Sequence, residues 1–174
     1  MITLIAGVAL WWAAHLFKRL APAARAKMGD SGRLVMTVAI VASVVLMVIG
    51  YKTADGAVYW GRSAALVGIN NLLMVLAFYF YAASAAKGAK IWLGTKVRHP
   101  QLTGFSIWAV AHLLVNGDVS SFILFGGLLL WALVEIALIN AQEGPWQRPA
   151  RAPFKKEIVA VVVTIVVTFV VMGI

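Results

Sequence analysis

Cysteine is absent from the 174 residues. That excludes disulfides, thiolate metal ligands, CxxC redox pairs, covalent CxxCH porphyrin attachment and palmitoylation. Charge is scarce as well: Asp and Glu number 6, and charged residues make up 12% of the chain. Soluble globular domains carry about 25% charged residues. Histidine occurs three times, and no other recognisable catalytic apparatus competes with those imidazoles. What the chain has instead is hydrocarbon, with 63% hydrophobic residues and a mean hydropathy of +0.93. Such a composition implies an integral membrane protein whose outside is covered by lipid and whose inside is filled by helix packing. One domain over residues 1–174 is the expectation at this length.

Apolar runs long enough to cross a bilayer, about 17–25 residues each, recur six times. The predicted spans are 2–19, 34–51, 64–86, 100–116, 121–140 and 157–174, so the fold class expected is an all-α polytopic membrane helix bundle. The fourth span is the shortest and begins at Pro100, where proline is tolerated because that N–H has no helical partner. The first run lacks a basic segment ahead of it and reads as an uncleaved span.

Thirteen of the 15 lysines and arginines fall in alternate loops. Lys18, Arg19, Arg25, Lys27 and Arg33 belong to the first; Lys87, Lys90, Lys96 and Arg98 to the third; Arg148, Arg151, Lys155 and Lys156 to the fifth. Only Lys52 and Arg62 lie in the second loop, and the fourth has no basic residue. By the positive-inside rule, loops one, three and five face the cytoplasm and both termini lie outside it. The net charge of +9 thus reports orientation, and no nucleic-acid partner is expected. The second loop, YKTADGAVYWGRS, reads as interfacial; Asn116, Gly117 and Asp118 read as a simple turn.

The three histidines sit in or beside apolar segments, and neutral imidazole is the commonest metal ligand and the usual axial ligand of haem iron. His15 lies one turn before Lys18 and Arg19 and shares a helix face with Trp11; a belt histidine among interfacial aromatics is the alternative. His112 lies well within the fourth span, with Trp108 on its face. Ionisable groups at such depth face the bundle interior; a hydrogen bond to Asn70, Asn71 or Glu135 is the competing role. His99, between Arg98 and Pro100, is held out of the helical region by the proline. It suits anchoring an anion as well as simply starting a helix. Asn70, Asn71 and Glu135 are the other intramembrane polar groups, with interhelical hydrogen bonding as their default role.

The stretch VRHPQLTGFSIWAVAHLLVNGDVSSFILFGGLLLWALVEI, together with HLFKRLAPAAR in the first loop, resembles the NnrU family of bacterial membrane proteins. RHP alone also occurs in isoprenylcysteine methyltransferase-like enzymes, but here no second glutamate-rich motif accompanies it. RHP followed by W-x-x-A-H and N-G-D is the specific combination. The NnrU family is similar to the 15-cis-zeta-carotene isomerases, which are haem b proteins, and its members accompany nitrite and nitric oxide reductases in denitrifiers. The resemblance implies a multi-pass protein of the bacterial inner membrane with noncovalent haem b and an undefined redox partner, surrounded by lipid and open to oligomerisation. Carried over by motif, it implies His15 and His112 as iron ligands, with Trp108 and His99 in the cofactor site. Arg98 and Arg19 are candidates for the propionates, since arginine binds carboxylates through paired N–H donors.

Three functions follow as expectations. They are a redox or NO-related haem protein, a haem-dependent isomerase of a lipophilic polyene, and a haem-free membrane assembly protein. The pairing of ligands raises a question of depth. At a rise of about 1.5 Å per residue, His112 stands about 18 Å along the span from Pro100, towards the outer face, while His15 lies near the cytoplasmic side. One iron shared by the two needs a deeper start or a steep tilt of the fourth span; the other solution pairs His15 with His99.

Overall fold

A computed structural model describes residues 1–86 and 88–173; Lys87 of the third loop and the last residue of the sixth predicted span lie outside the described residues. The chain is a helical bundle. Its elements are α1 (Ile2–Leu20), the short α2 (Pro22–Lys27), α3 (Ser31–Thr53), β1 (Val58–Trp60), α4 (Ala64–Ala85) and α5 (Pro100–Val115). They are followed by β2 (Gly117–Asp118), α6 (Val119–Ser121), α7 (Gly127–Glu143) and α8 (Phe154–Met172). A π-helical turn at Phe122–Gly126 joins α6 to α7, so that Val119–Glu143 runs as one apolar helix. Each predicted span contains one long helix, with boundaries moved by a few residues.

Local chemistry accounts for the ends. Lys18 and Arg19 in the last turn of α1 complement its negative dipole end. The Ser63 hydroxyl accepts the Leu66 N–H at 3.2 Å and starts α4. Pro100 occupies the first turn of α5, after His99 in a non-helical conformation (φ −122°, ψ 63°). The Asp118 carboxylate accepts the Ser121 N–H at 2.8 Å and the Ser121 hydroxyl at 2.7 Å, capping α6.

Ser31–Thr53, Ala64–Ala85 and Val119–Glu143 are long and apolar enough to cross a membrane, and Pro100–Val115 is a shorter apolar helix. Their outer faces carry large exposed aliphatics such as Leu34, Val38 and Val45 on α3, continued by Val162, Val166 and Val170 on α8. In water such faces would be unfavourable; against lipid they are the ordinary surface. The bundle packs as α3 on α1, α8 and α5 on α4, and α7 on both α5 and α1. Small residues set the tightest approaches, as expected where no hydrophobic force distinguishes helix from lipid. A Cβ on Gly50 would stand 2.4 Å from the Leu4 nitrogen, and one on Gly104 would stand 2.9 Å from the Ala77 carbonyl oxygen.

The two ends of the bundle differ. At one end the Lys90 N–H donates to the Ala150 carbonyl and the Ala152 N–H to the Lys90 carbonyl, at 2.9 and 2.7 Å, tying the third loop to the fifth. The Arg98 guanidinium donates to the Gly144 carbonyl at 2.7 Å, and Arg19 to Glu143 at 3.0 Å. The loops richest in basic residues therefore share one end. At the other end β1 pairs antiparallel with β2, with Val58 opposite Asp118 and Trp60 opposite Gly117. The expected simple turn at Asn116–Asp118 is thus also a strand pairing and a helix cap. It was missed because two-residue strands leave no periodicity to read.

Candidate functional site

Helix geometry orients His15 and His112, both half-buried, alike. The His15 Nδ1–H donates to the Trp11 carbonyl at 2.9 Å, and the His112 Nδ1–H to the Trp108 carbonyl at 3.0 Å. A carbonyl can only accept, so in each ring the proton sits on Nδ1 and Nε2 keeps its lone pair. This is the arrangement by which an outer partner orients a ligating imidazole. Asn70 and Asn71 hydrogen-bond to each other at 3.2 Å, and His112 takes its partner from its own helix.

The surroundings separate the two rings. His15 lines a cavity of about 350 Å³ with Trp11, Tyr81, Phe105, Trp131 and Glu135. Its ring lies 4.0 Å from Trp11 and 4.7 Å from Trp131 between centroids. His112 packs instead against Trp108 and Phe125, at 4.8 and 4.6 Å. Trp131 and Phe125 lie on the same continuous helix, about 9 Å apart at the usual rise. Phe105 fills the interval, 5.3 Å from Trp131 and 5.1 Å from Trp108. The two imidazoles therefore have different aromatic neighbours, Trp11 and Trp131 for His15 and Trp108 and Phe125 for His112, with Phe105 touching both sets.

The basic end completes the His15 site. Gln101, Leu102 and Ile139 line both the His15 cavity and an adjoining one of about 460 Å³, whose walls include Lys90, Arg98, His99 and Trp146. Arg19, Arg98, His99 and Glu143 surround a third, of about 590 Å³, contiguous with the second. The His15 cavity and the two at the basic end thus share wall residues. The His99 Nε2–H donates to the Asn140 amide oxygen at 2.9 Å. Of the expected site residues, Arg19, Arg98 and His99 share one cavity, His15 lines another and Trp108 a further one. Trp108 faces a separate cavity of about 460 Å³, with Val44, Val48, Tyr51 and Leu124, divided from the His15 cavity by Trp11 and Phe105.

Tyr81, Gln101 and Trp131 are site residues that sequence reasoning missed, and Glu135 was assigned only a helix-packing role. One signal was available: Trp131 and Glu135 are four apart on α7, as Trp11 and His15 are on α1, so each pair shares a helix face. Glu135 Oε1 lies 3.6 Å from Arg19 Nε, which places an ion pair between cavity and mouth. No group of three or more histidine, aspartate or glutamate side chains able to hold a bare metal ion occurs among the described residues.

No curated protein and no solved structure matches the chain. The family model described as NnrU protein matches residues 3–174. With essentially its whole length covered, the chain belongs to the NnrU family.

Proposed function

We propose that this protein is a six-span protein of the bacterial inner membrane, with both termini outside the cytoplasm, that holds haem b noncovalently through His15. The observation that carries the reading is the His15 imidazole, whose proton is fixed on Nδ1 by the Trp11 carbonyl and whose ring borders an aromatic-walled cavity. A porphyrin is flat and apolar with two carboxylates on one edge. Trp11, Phe105 and Trp131 offer the apolar walls, and Arg19 and Arg98 stand at the mouth where carboxylates would be bound. When bound, haem supplies a redox-active or gas-binding iron, the chemistry we assign to a role in nitrite and nitric oxide reduction. The chain's own contribution is to orient the imidazole, exclude water with the indole rings and neutralise the carboxylates.

The test is a pyridine haemochrome assay on purified wild type beside His15→Ala and His112→Ala. Haem retained by wild type and His112→Ala but lost from His15→Ala supports the reading. A colourless wild type rejects it and leaves the haem-free assembly role. A second reading, isomerisation of a lipophilic polyene, is favoured by the wholly nonpolar cavity of Val44, Val48, Trp108 and Leu124, separated from the His15 chamber by two aromatic rings. Conversion of a 15-cis polyene by the reduced protein would support it, and lack of conversion would remove it.

A further inference from the structure

The cavity at Lys90, of about 460 Å³, plays no part in the haem reading. Its walls carry Lys90, Arg98, His99, Gln101 and Gln147 but, among the described residues, no aspartate or glutamate. Each neighbouring cavity holds an acid, Glu135 beside His15 and Glu143 beside Arg19. Neutral carbonyls hold the two cations in place. Lys90 Nζ donates to the Ser84 carbonyl at 3.0 Å and to that of Ala86. Arg98 Nη1 donates to the Gly144 carbonyl at 2.7 Å, and Glu143 stands 3.7 Å from Nη2. Lysine has three N–H donors and arginine five, so both keep donors to spare. The start of α5 adds two more. No side chain caps its first turn, which leaves the Gln101 and Leu102 N–H groups open at the positive end of the helix dipole.

The positive-inside bias needs only loops rich in lysine and arginine. It does not require cations from separate segments to converge on one hollow, nor a loop to be folded over them. Here the fifth loop is pinned by main-chain hydrogen bonds of Lys90 with Ala150 and Ala152, and Trp146 and Pro149 complete the wall. Converging N–H donors, a wall without carboxylates and a helix N-terminus together suit a tetrahedral oxyanion, whose several oxygens can accept from all of them. We propose that this cavity binds a phosphate group, carried by an anionic membrane lipid or by a soluble phosphate compound. It lies where α4 ends and α5 begins, the level at which basic pockets between helices take lipid headgroups. The site does not depend on haem, since Ser84 and Lys90 line this cavity and neither of its neighbours.

The test follows the unfolding midpoint of the purified protein in a neutral detergent. Sodium phosphate, short-chain phosphatidylglycerol or short-chain phosphatidylcholine is added, with sodium chloride matching the ionic strength. The wild-type midpoint should rise saturably with phosphate or with phosphatidylglycerol, beyond any response to chloride and phosphatidylcholine. A response to phosphatidylglycerol alone supports the site and makes the lipid its source; a response to phosphate supports it with a soluble source. Lys90→Gln removes a cation from the wall and should raise the concentration for half the effect about tenfold or more. Gln147→Glu brings a carboxylate to the wall from an exposed loop position and should weaken the response as much, so the test stands even if Lys90→Gln does not fold. Lys156→Gln removes the same charge from an exposed position outside the cavity and should respond as wild type does. No rise beyond chloride and phosphatidylcholine, or an unchanged response in Gln147→Glu, overturns the site. So does a loss in Lys156→Gln equal to that in Lys90→Gln, which would mark diffuse surface charge.

Discussion

Substitution of Gly50 by alanine should be among the most damaging single-methyl changes in this protein. The added carbon would meet the Leu4 nitrogen at 2.4 Å, its Cα at 2.6 Å and its Cβ at 2.9 Å. Two of those atoms are backbone, so no rotamer change can clear them and α1 must move away from α3. Leu4 is fully buried and belongs to a cluster with Val8, Met47 and Leu128, so separation loosens contacts along the seam. Overpacking of this kind costs about 1–3 kcal/mol, equivalent to roughly a 5- to 150-fold change in the folding equilibrium by the usual conversion of 1.4 kcal/mol per decade. Gly68 is the internal control. It also lies within a long helix, but a Cβ there meets nothing within 4 Å, and alanine is favoured over glycine by up to about 1 kcal/mol in a helix interior. Unfolding of the detergent-solubilised variants, followed by circular dichroism against temperature or added SDS, would measure the difference. Gly50→Ala should unfold well before wild type and Gly68→Ala at or above it. Equal stability of the two variants would refute the claim that glycine sets the α1–α3 distance. On the haem reading proposed above, Gly50→Ala should also lower haem content in the same preparation, because α1 carries Trp11 and His15.

Arg19→Gln leaves Glu135 without the guanidinium 3.6 Å away. With the Glu135 side chain 13% exposed and that of Arg19 25%, the loss should fall below the 3–5 kcal/mol of a fully buried pair, at about 1–3 kcal/mol; adding Glu135→Gln should recover most of it in a double-mutant cycle. Glu143→Gln breaks ion pairs to both Arg19 and Arg98, yet that side chain is 51% exposed, so an effect under about 1 kcal/mol is expected, and a larger one would show that the mouth is drier than its exposure suggests. Asp118→Ala removes the cap of α6 and the partner of Ser121, which should destabilise by about 0.5–2 kcal/mol, read as a lower unfolding midpoint.

Much of this arrangement was legible beforehand. A helix needs only its own residues to satisfy its backbone, so six apolar runs, the fourth starting at Pro100, marked six long helices. Alternation of basic loops likewise foretold which loops gather at one end, and the ties of Lys90 to Ala150 and of Arg98 to Gly144 bear that out. His15 beside Trp11 and above Arg19 was legible for the same reason, since spacing along one helix decides which side chains meet. The shared interior was less so. Glu135 reads as a lone intramembrane acid until α7 is set beside α1, and Trp131 reads as one more aromatic.

What the sequence determined by itself is everything that depends on neighbours along the chain. That includes the membrane-embedded helical class, the placing of each long helix along the chain and the basic end. Only the tertiary structure decided which helices face each other. That choice rests on where glycines let backbones approach and on how large aromatic side chains fill the gaps between helices. It put Tyr81, Gln101 and Glu135 around His15, joined Arg19 to Arg98 through Glu143, and set Phe105 against both Trp131 and Trp108.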